Sequence, residues 1–105
     1  MAWLLLIVAG FFEIGFALGL KYSEGFTRLW PTLVMAASGG VSFYLLSVAM
    51  KTLPVGTAYA VWTGIGAAGT AILGILLLRE SGDVFRVISI ALIVAGVVGL
   101  RLSSQ

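Results

Sequence analysis

Long apolar stretches separated by short polar breaks make up most of this chain. The stretches cover residues 2–20, 29–50, 53–78 and 84–102. The length of each stretch is close to what an α-helix needs to cross the hydrocarbon core of a bilayer, about 17–25 residues. Glu13 is the one acidic residue inside a stretch. The pattern predicts an all-α membrane protein, a single domain over residues 1–105 with four transmembrane helices.

The breaks carry residues typical of turns and helix ends. Residues 21–28 and 79–83 contain serine, glycine and charged residues, as turns do. Pro31 and Pro54 lie where the first turns of the second and third helices are expected, and a missing N–H costs nothing there. Asp83 is placed to cap the fourth helix. Four apolar stretches joined by such short breaks do not fit the core helices of a large soluble protein.

The composition agrees with a lipid environment. Of 105 residues, 61% are hydrophobic and 10% are charged, whereas soluble domains contain about 25% charged residues. Cysteine and histidine are absent, which excludes disulfides, Cys/His metal sites and a histidine general base. The net charge of +2 is too small for a nucleic-acid-binding surface. We therefore expect no metal, no cofactor, no nucleic-acid partner and no enzyme activity.

Basic residues give the chain only a weak preference for one orientation in the membrane. One side, which holds both termini, has Lys51 and Arg101; the other has four basic residues, Lys21, Arg28, Arg79 and Arg86. Cytoplasmic loops normally hold the excess of basic residues, so the small difference would place the termini outside. Because the two sides are nearly balanced, the pattern favours dual topology, with insertion either way round.

Glu13 points to a transport function. It lies near the middle of the first stretch, where an ionisable group costs roughly 2.5–3.5 kcal/mol to insert. Burial disfavours the charged form of a carboxyl, whereas a neighbouring cation favours it. One carboxylate can therefore hold a proton or a cationic substrate in turn, which is the basis of proton/cation antiport. The alternative is a protonated carboxyl in an interhelical hydrogen bond.

Small and polar residues at a similar depth are candidates to share a site with Glu13. Two lie one turn away from it on the first helix, one is a hydroxyl in the middle of the second, and two are aromatic residues of the third. Aromatic O–H and N–H groups at this depth usually have partners. Packing in a core, with hydrogen bonds to the backbone, is the alternative. The candidates are Gly10, Phe16, Ser42, Tyr59 and Trp62.

The third and fourth stretches contain small residues with two possible uses. The third is longer than the bilayer core requires, so Gly64 and Gly66 mark a candidate hinge, with close helix packing as the alternative.

Small residues at four-residue spacing are typical of helix association in membranes. We assign those of the fourth stretch to a homodimer contact, because four short helices cannot enclose a pathway alone; packing within one chain is the alternative. They are Ala91, Ala95, Gly96 and Gly99.

Three segments resemble the small multidrug resistance (SMR) family, and the resemblance covers essentially the whole chain. They are Ala9-Gly10-x-x-Glu13, residues 20–28, and residues 53–66, the most specific of the three. The resemblance implies an antiparallel homodimer in the bacterial inner membrane that exchanges protons for small organic cations. It also implies that Glu13 binds both proton and substrate, that Ser42 and Trp62 hydrogen-bond it, and that Tyr59 and Gly10 belong to the same pocket.

Two branches of the family share features with this chain. Residues 51–57 and 62–64 are similar to the guanidinium-exporting branch, whereas residues 23–31 resemble the branch that exports polyaromatic cations. Phe16 departs from the guanidinium branch, which usually has tryptophan there. The leading hypothesis is proton-coupled export of guanidinium and small substituted guanidinium cations. The alternatives are export of quaternary ammonium or polyaromatic cations and, from another class, a non-transporting membrane subunit.

Overall fold

The computed structural model describes residues 1–103, which form four α-helices and no strand. The helices are α1 (Ala2–Tyr22), α2 (Leu29–Ala49), α3 (Val55–Leu77) and α4 (Val84–Ser103). All four are long and apolar enough to cross a membrane. The predicted all-α chain with four membrane-spanning helices is confirmed. Helix α3 begins after Pro54 rather than around it, because the ψ of 144° at Pro54 is extended.

The α1–α2 connection is a tight turn organised by a serine. Ser23 is fully buried, and its hydroxyl donates to the carbonyl of Leu20 (2.7 Å) and accepts from the N–H of Phe26 (3.2 Å). Three consecutive residues from Glu24 to Phe26 have left-handed backbone angles, with Gly25 at φ 73°. These bonds hold a strained turn and bring α2 back against α1.

Helix α1 lies between α2 and α3, and glycines allow the close approach on both sides. A Cβ at Gly19 would lie 2.9 Å from the backbone nitrogen of Met35, and one at Gly39 would meet the ring of Phe16. On the α3 side, a Cβ at Gly10 would overlap Ile65. Because overpacking of this kind is costly, each of these contacts depends on the missing side chain.

The buried core occupies one end of the bundle. It combines the start of α1, the end of α2 and the start of α3, around Leu6, Ala9, Leu46, Ala49, Ala58, Val61 and Trp62. The opposite end, where the α1–α2 and α3–α4 connections lie, is not packed in this way. The chain is therefore closed at one end and open at the other.

Helix α4 is the least embedded of the four. It has no buried residue, and it rests on α3, where Val97 packs against Gly64. Its first turn is capped as predicted, since the Asp83 carboxylate accepts the N–H of Arg86 at 2.8 Å. At its other end the Arg101 guanidinium lies 4.9 Å above the ring of Trp3. The small residues assigned to a dimer contact are all exposed: Ala91, Ala95, Gly96 and Gly99.

Candidate functional site

A cleft of about 430 Å³ opens at the loop end of the bundle, and Glu13 lies on its wall. The lining comes from α1, α3, the α3–α4 connection and the start of α4. Half of the lining residues are small or apolar: Ala17, Leu18, Gly66, Ala67, Ala71 and Leu78. The other half are charged or carry a hydroxyl: Glu13, Lys21, Thr63, Thr70, Glu80 and Arg86. The cleft thus joins the middle of the bundle to the loop end.

Glu13 lies directly against the backbone of α3 because residue 66 is a glycine. A Cβ at Gly66 would overlap Glu13 Cγ and lie 3.1 Å from Glu13 Cβ. One turn further on, Ile14 fills the space over Gly69 in the same way. Among residues 1–103, no group forms a hydrogen bond or an ion pair with the Glu13 carboxylate. The carboxylate therefore faces the cleft without a protein counter-ion.

Ser42 and Trp62 form a hydrogen-bonded chain behind Glu13 rather than bonds to its carboxylate. Trp62 Nε1 donates to Ser42 Oγ at 2.7 Å, and Ser42 Oγ donates to the carbonyl of Ala9 at 2.7 Å. In a regular α-helix that carbonyl also accepts the backbone N–H of residue 13. The chain crosses from α3 through α2 to the part of α1 that carries Glu13. It thereby fixes the three helices relative to one another next to the site.

The remaining predicted pocket residues lie outside the cleft. Tyr59 is 55% exposed, and its ring centroid is 5.4 Å from that of Trp62. Phe16 packs on Gly39 of α2, and Gly10 packs on Ile65 of α3. One chain therefore gathers Ser42, Trp62 and Tyr59 in one cluster, but it does not bring the predicted set together around the Glu13 carboxylate.

The two candidate hinge glycines both serve helix packing in this structure. Helix α3 is continuous from Val55 to Leu77, with Gly64 under Val97 of α4 and Gly66 under Glu13 of α1. These contacts match the packing alternative, and the hinge stays a prediction.

Sequence reasoning did not assign Thr70, Glu80 or Arg86 to the site. Thr70 lies one helical turn beyond Gly66, so helical periodicity could have identified it. Glu80 reaches the cleft from the α3–α4 connection and Arg86 from the first turn of α4, and both follow a left-handed residue, Arg79 at φ 57°. Periodicity carries no information about such a turn.

Comparison with known proteins defines the class. Residues 1–93 match the family described as Small Multidrug Resistance protein. Proteins named guanidinium exporter in Citrobacter freundii and Klebsiella oxytoca are 59% identical over 105 residues, which cover 100% of this chain and of each relative. One of the same name in Yersinia pestis is 57% identical over 104 residues, which cover 99% of this chain and 100% of the relative.

These relatives are membrane transporters rather than enzymes, and this chain is likewise a multi-pass protein of the bacterial inner membrane. It belongs to the small multidrug resistance family. The resemblance inferred from residues 9–13, 20–28 and 53–66 is thus confirmed.

Replacing Ser42 tests the hydrogen-bonded chain. Ser42→Ala should lower the free energy of unfolding by about 1–3 kcal/mol, because the buried Trp62 N–H loses its acceptor. Unfolding in mixed micelles measures the effect. In a Trp62→Phe background, which removes the donor, the same substitution should cost clearly less. An equal cost in both backgrounds would show that the Trp62–Ser42 bond does not contribute.

Proposed function

We propose that this chain is a proton-coupled antiporter that exports guanidinium and small substituted guanidinium cations. The observation that carries the proposal is the isolation of Glu13. It is the single acidic residue within the four described helices, it lines the open cleft, and no described residue neutralises it. A carboxylate in such a place is stabilised by a proton or by a cation, and either ligand excludes the other. Proton and substrate would therefore compete for Glu13.

The chemistry of guanidinium fits this cleft. A planar guanidinium presents parallel N–H groups to the two oxygens of a carboxylate, which a quaternary ammonium cannot do. Its remaining N–H groups need acceptors, and two threonines, Thr63 and Thr70, are among the residues that line the same cleft. The relatives named guanidinium exporter support the same substrate class.

An antiparallel homodimer would complete the pathway. One chain leaves Tyr59 and Phe16 away from the Glu13 cleft, so a site built from the whole predicted set needs a second copy. The small residues of α4 are exposed, and a Cβ at Gly96 or Gly99 would meet no atom within 4 Å. Small exposed residues of this kind allow helices to approach closely in lipid. The nearly balanced basic residues of the two sides suit a pair of opposite orientation.

Export of quaternary ammonium or polyaromatic cations is the second candidate, and Phe16 is the observation that favours it. Phenylalanine gives the helix an aromatic surface without an N–H donor. A pocket with fewer unpaired polar groups rejects apolar substituents less strongly. The two candidates differ in selectivity and share the same use of Glu13.

Glu13→Gln should abolish guanidinium-driven proton movement in proteoliposomes, because an amide neither releases a proton nor attracts a cation. The variant should still fold and assemble, since the amide has nearly the same shape. Glu13→Asp should keep coupled transport with an altered pH profile, and binding of guanidinium to the unaltered protein should strengthen as the pH rises.

Glu24→Gln is the matched control for that experiment. It removes a carboxylate from the α1–α2 connection, where Glu24 pairs at 3.8 Å with Arg28 on the surface. It should transport as the unaltered protein does. Coupled transport that persists in Glu13→Gln would refute the mechanism.

Phe16→Trp should narrow the substrate range. The added indole N–H requires a partner, and leaving one such group unpaired costs about 1 kcal/mol or more. The ratio of phenylguanidinium to guanidinium transport should therefore fall about fivefold or more. Phe11→Trp, on the exposed surface of α1, is the control and should leave the ratio unchanged. An unchanged ratio in Phe16→Trp would place residue 16 outside the pocket.

Gly99→Leu should weaken the dimer and reduce transport, because the added side chain holds the paired helices apart. Sedimentation or crosslinking in detergent measures the assembly. Val94→Leu enlarges another exposed residue of α4 outside the small-residue stripe, and this control should remain dimeric. A Gly99→Leu variant that is fully dimeric and active would place the interface elsewhere.

A further inference from the structure

The Glu13 cleft contains a second carboxylate, Glu80, at its outer end. Glu13 lies over Gly66, and the carboxylate of Glu80 lies over Gly74, where a Cβ would come within 2.8 Å of Glu80 Cδ. Gly74 is eight positions after Gly66 on α3, which corresponds to about 12 Å along the helix. Thr70 lies midway between them on the same face. Its hydroxyl is buried and has no hydrogen-bond partner among the described residues.

Backbone hydrogen bonds at the start of the α3–α4 connection fix the position of Glu80. The N–H groups of Leu78 and Glu80 both donate to the carbonyl of Gly74, each at 3.1 Å. Arg79, between them, has a left-handed φ of 57°. This turn folds the connection back on α3 and places the carboxylate of Glu80 over Gly74.

The Arg86 side chain pairs with Glu80 through a guanidinium, the same chemical group as the proposed substrate. Its Nη2 donates to Glu80 Oε1, and its Nε is buried without a hydrogen-bond partner in residues 1–103. The pair is partly exposed, with 34% of the Arg86 side chain and 39% of the Glu80 side chain accessible. It is therefore an incomplete carboxylate–guanidinium contact that a free guanidinium ion can improve on, since the free ion can use two N–H groups at once.

We propose that Glu80 is an outer cation-binding residue of the transport pathway. A guanidinium ion displaces the Arg86 side chain from Glu80, passes Thr70 in the cleft, and reaches Glu13. Arg86 keeps the outer carboxylate neutralised when no substrate is present. This inference rests on the proposed guanidinium export and adds a second binding residue to it.

Opposite effects of two substitutions test the exchange. Guanidinium-driven proton flux is measured in proteoliposomes over a range of guanidinium concentrations. Glu80→Gln should raise KM about fivefold, the upper end of what a partly exposed ion pair contributes, with a nearly unchanged maximal rate. Arg86→Gln should lower KM, because the competing guanidinium is gone. The double variant should behave as Glu80→Gln does, since Arg86 competes only when the acid is present.

Three outcomes decide between this inference and its rivals. A purely structural ion pair predicts that both single variants shift KM in the same direction, and that result would overturn the proposal. Glu24→Gln removes a carboxylate from the same end of the bundle but outside the cleft. If Glu24→Gln changes KM as much as Glu80→Gln does, the effect comes from surface charge, and the proposal is overturned. No flux in the unaltered protein would instead refute guanidinium export itself.

If Glu80→Gln fails to assemble, Arg86→Gln still decides, because a raised KM in that variant contradicts the exchange.

Discussion

The contact of Glu13 with the backbone of α3 at Gly66 is the constraint on which the rest of the structure depends. Any side chain at residue 66 would occupy the place of the Glu13 methylene groups. Below this contact the bundle is filled by the apolar cluster around Leu6, Leu46 and Val61. Above it the helices leave a cleft. Glu13 therefore lies at the boundary between packed protein and open space.

The hydrogen-bonded chain from Trp62 through Ser42 to the carbonyl of Ala9 makes this boundary rigid. Two 2.7 Å hydrogen bonds join α3 to α2 and α2 to α1 at the height of the site. Such buried bonds contribute modestly when made and cost more when one partner is lost. They also set the backbone of α1 one turn before Glu13. The polar residues of the second and third helices thus position the acid instead of binding its carboxylate within one chain.

The sequence predicted features that depend on local chemistry, but it carries no information on contacts that depend on helix rotation or on a turn. Apolar length predicted the four helices and Asp83 predicted a cap, and the lone acid of the helices, Glu13, lies on the wall of the cleft. The partners of Ser42 and Trp62 depend on how α2 and α3 rotate about their axes, which a spacing pattern does not fix. Glu80 and Arg86 were missed because the left-handed angle at Arg79 reverses the chain. Gly64 and Gly66 were singled out as glycines, but the residues that they contact are known only from the structure.

The closed end and the open end of the bundle have a thermodynamic consequence. A single chain exposes Glu13 towards one end alone. In the antiparallel homodimer proposed above, the two copies would open their clefts towards opposite sides of the membrane. The two faces of such a dimer would be equivalent, so it would have no built-in direction. The sign of net transport would be set entirely by the proton and substrate gradients across the membrane.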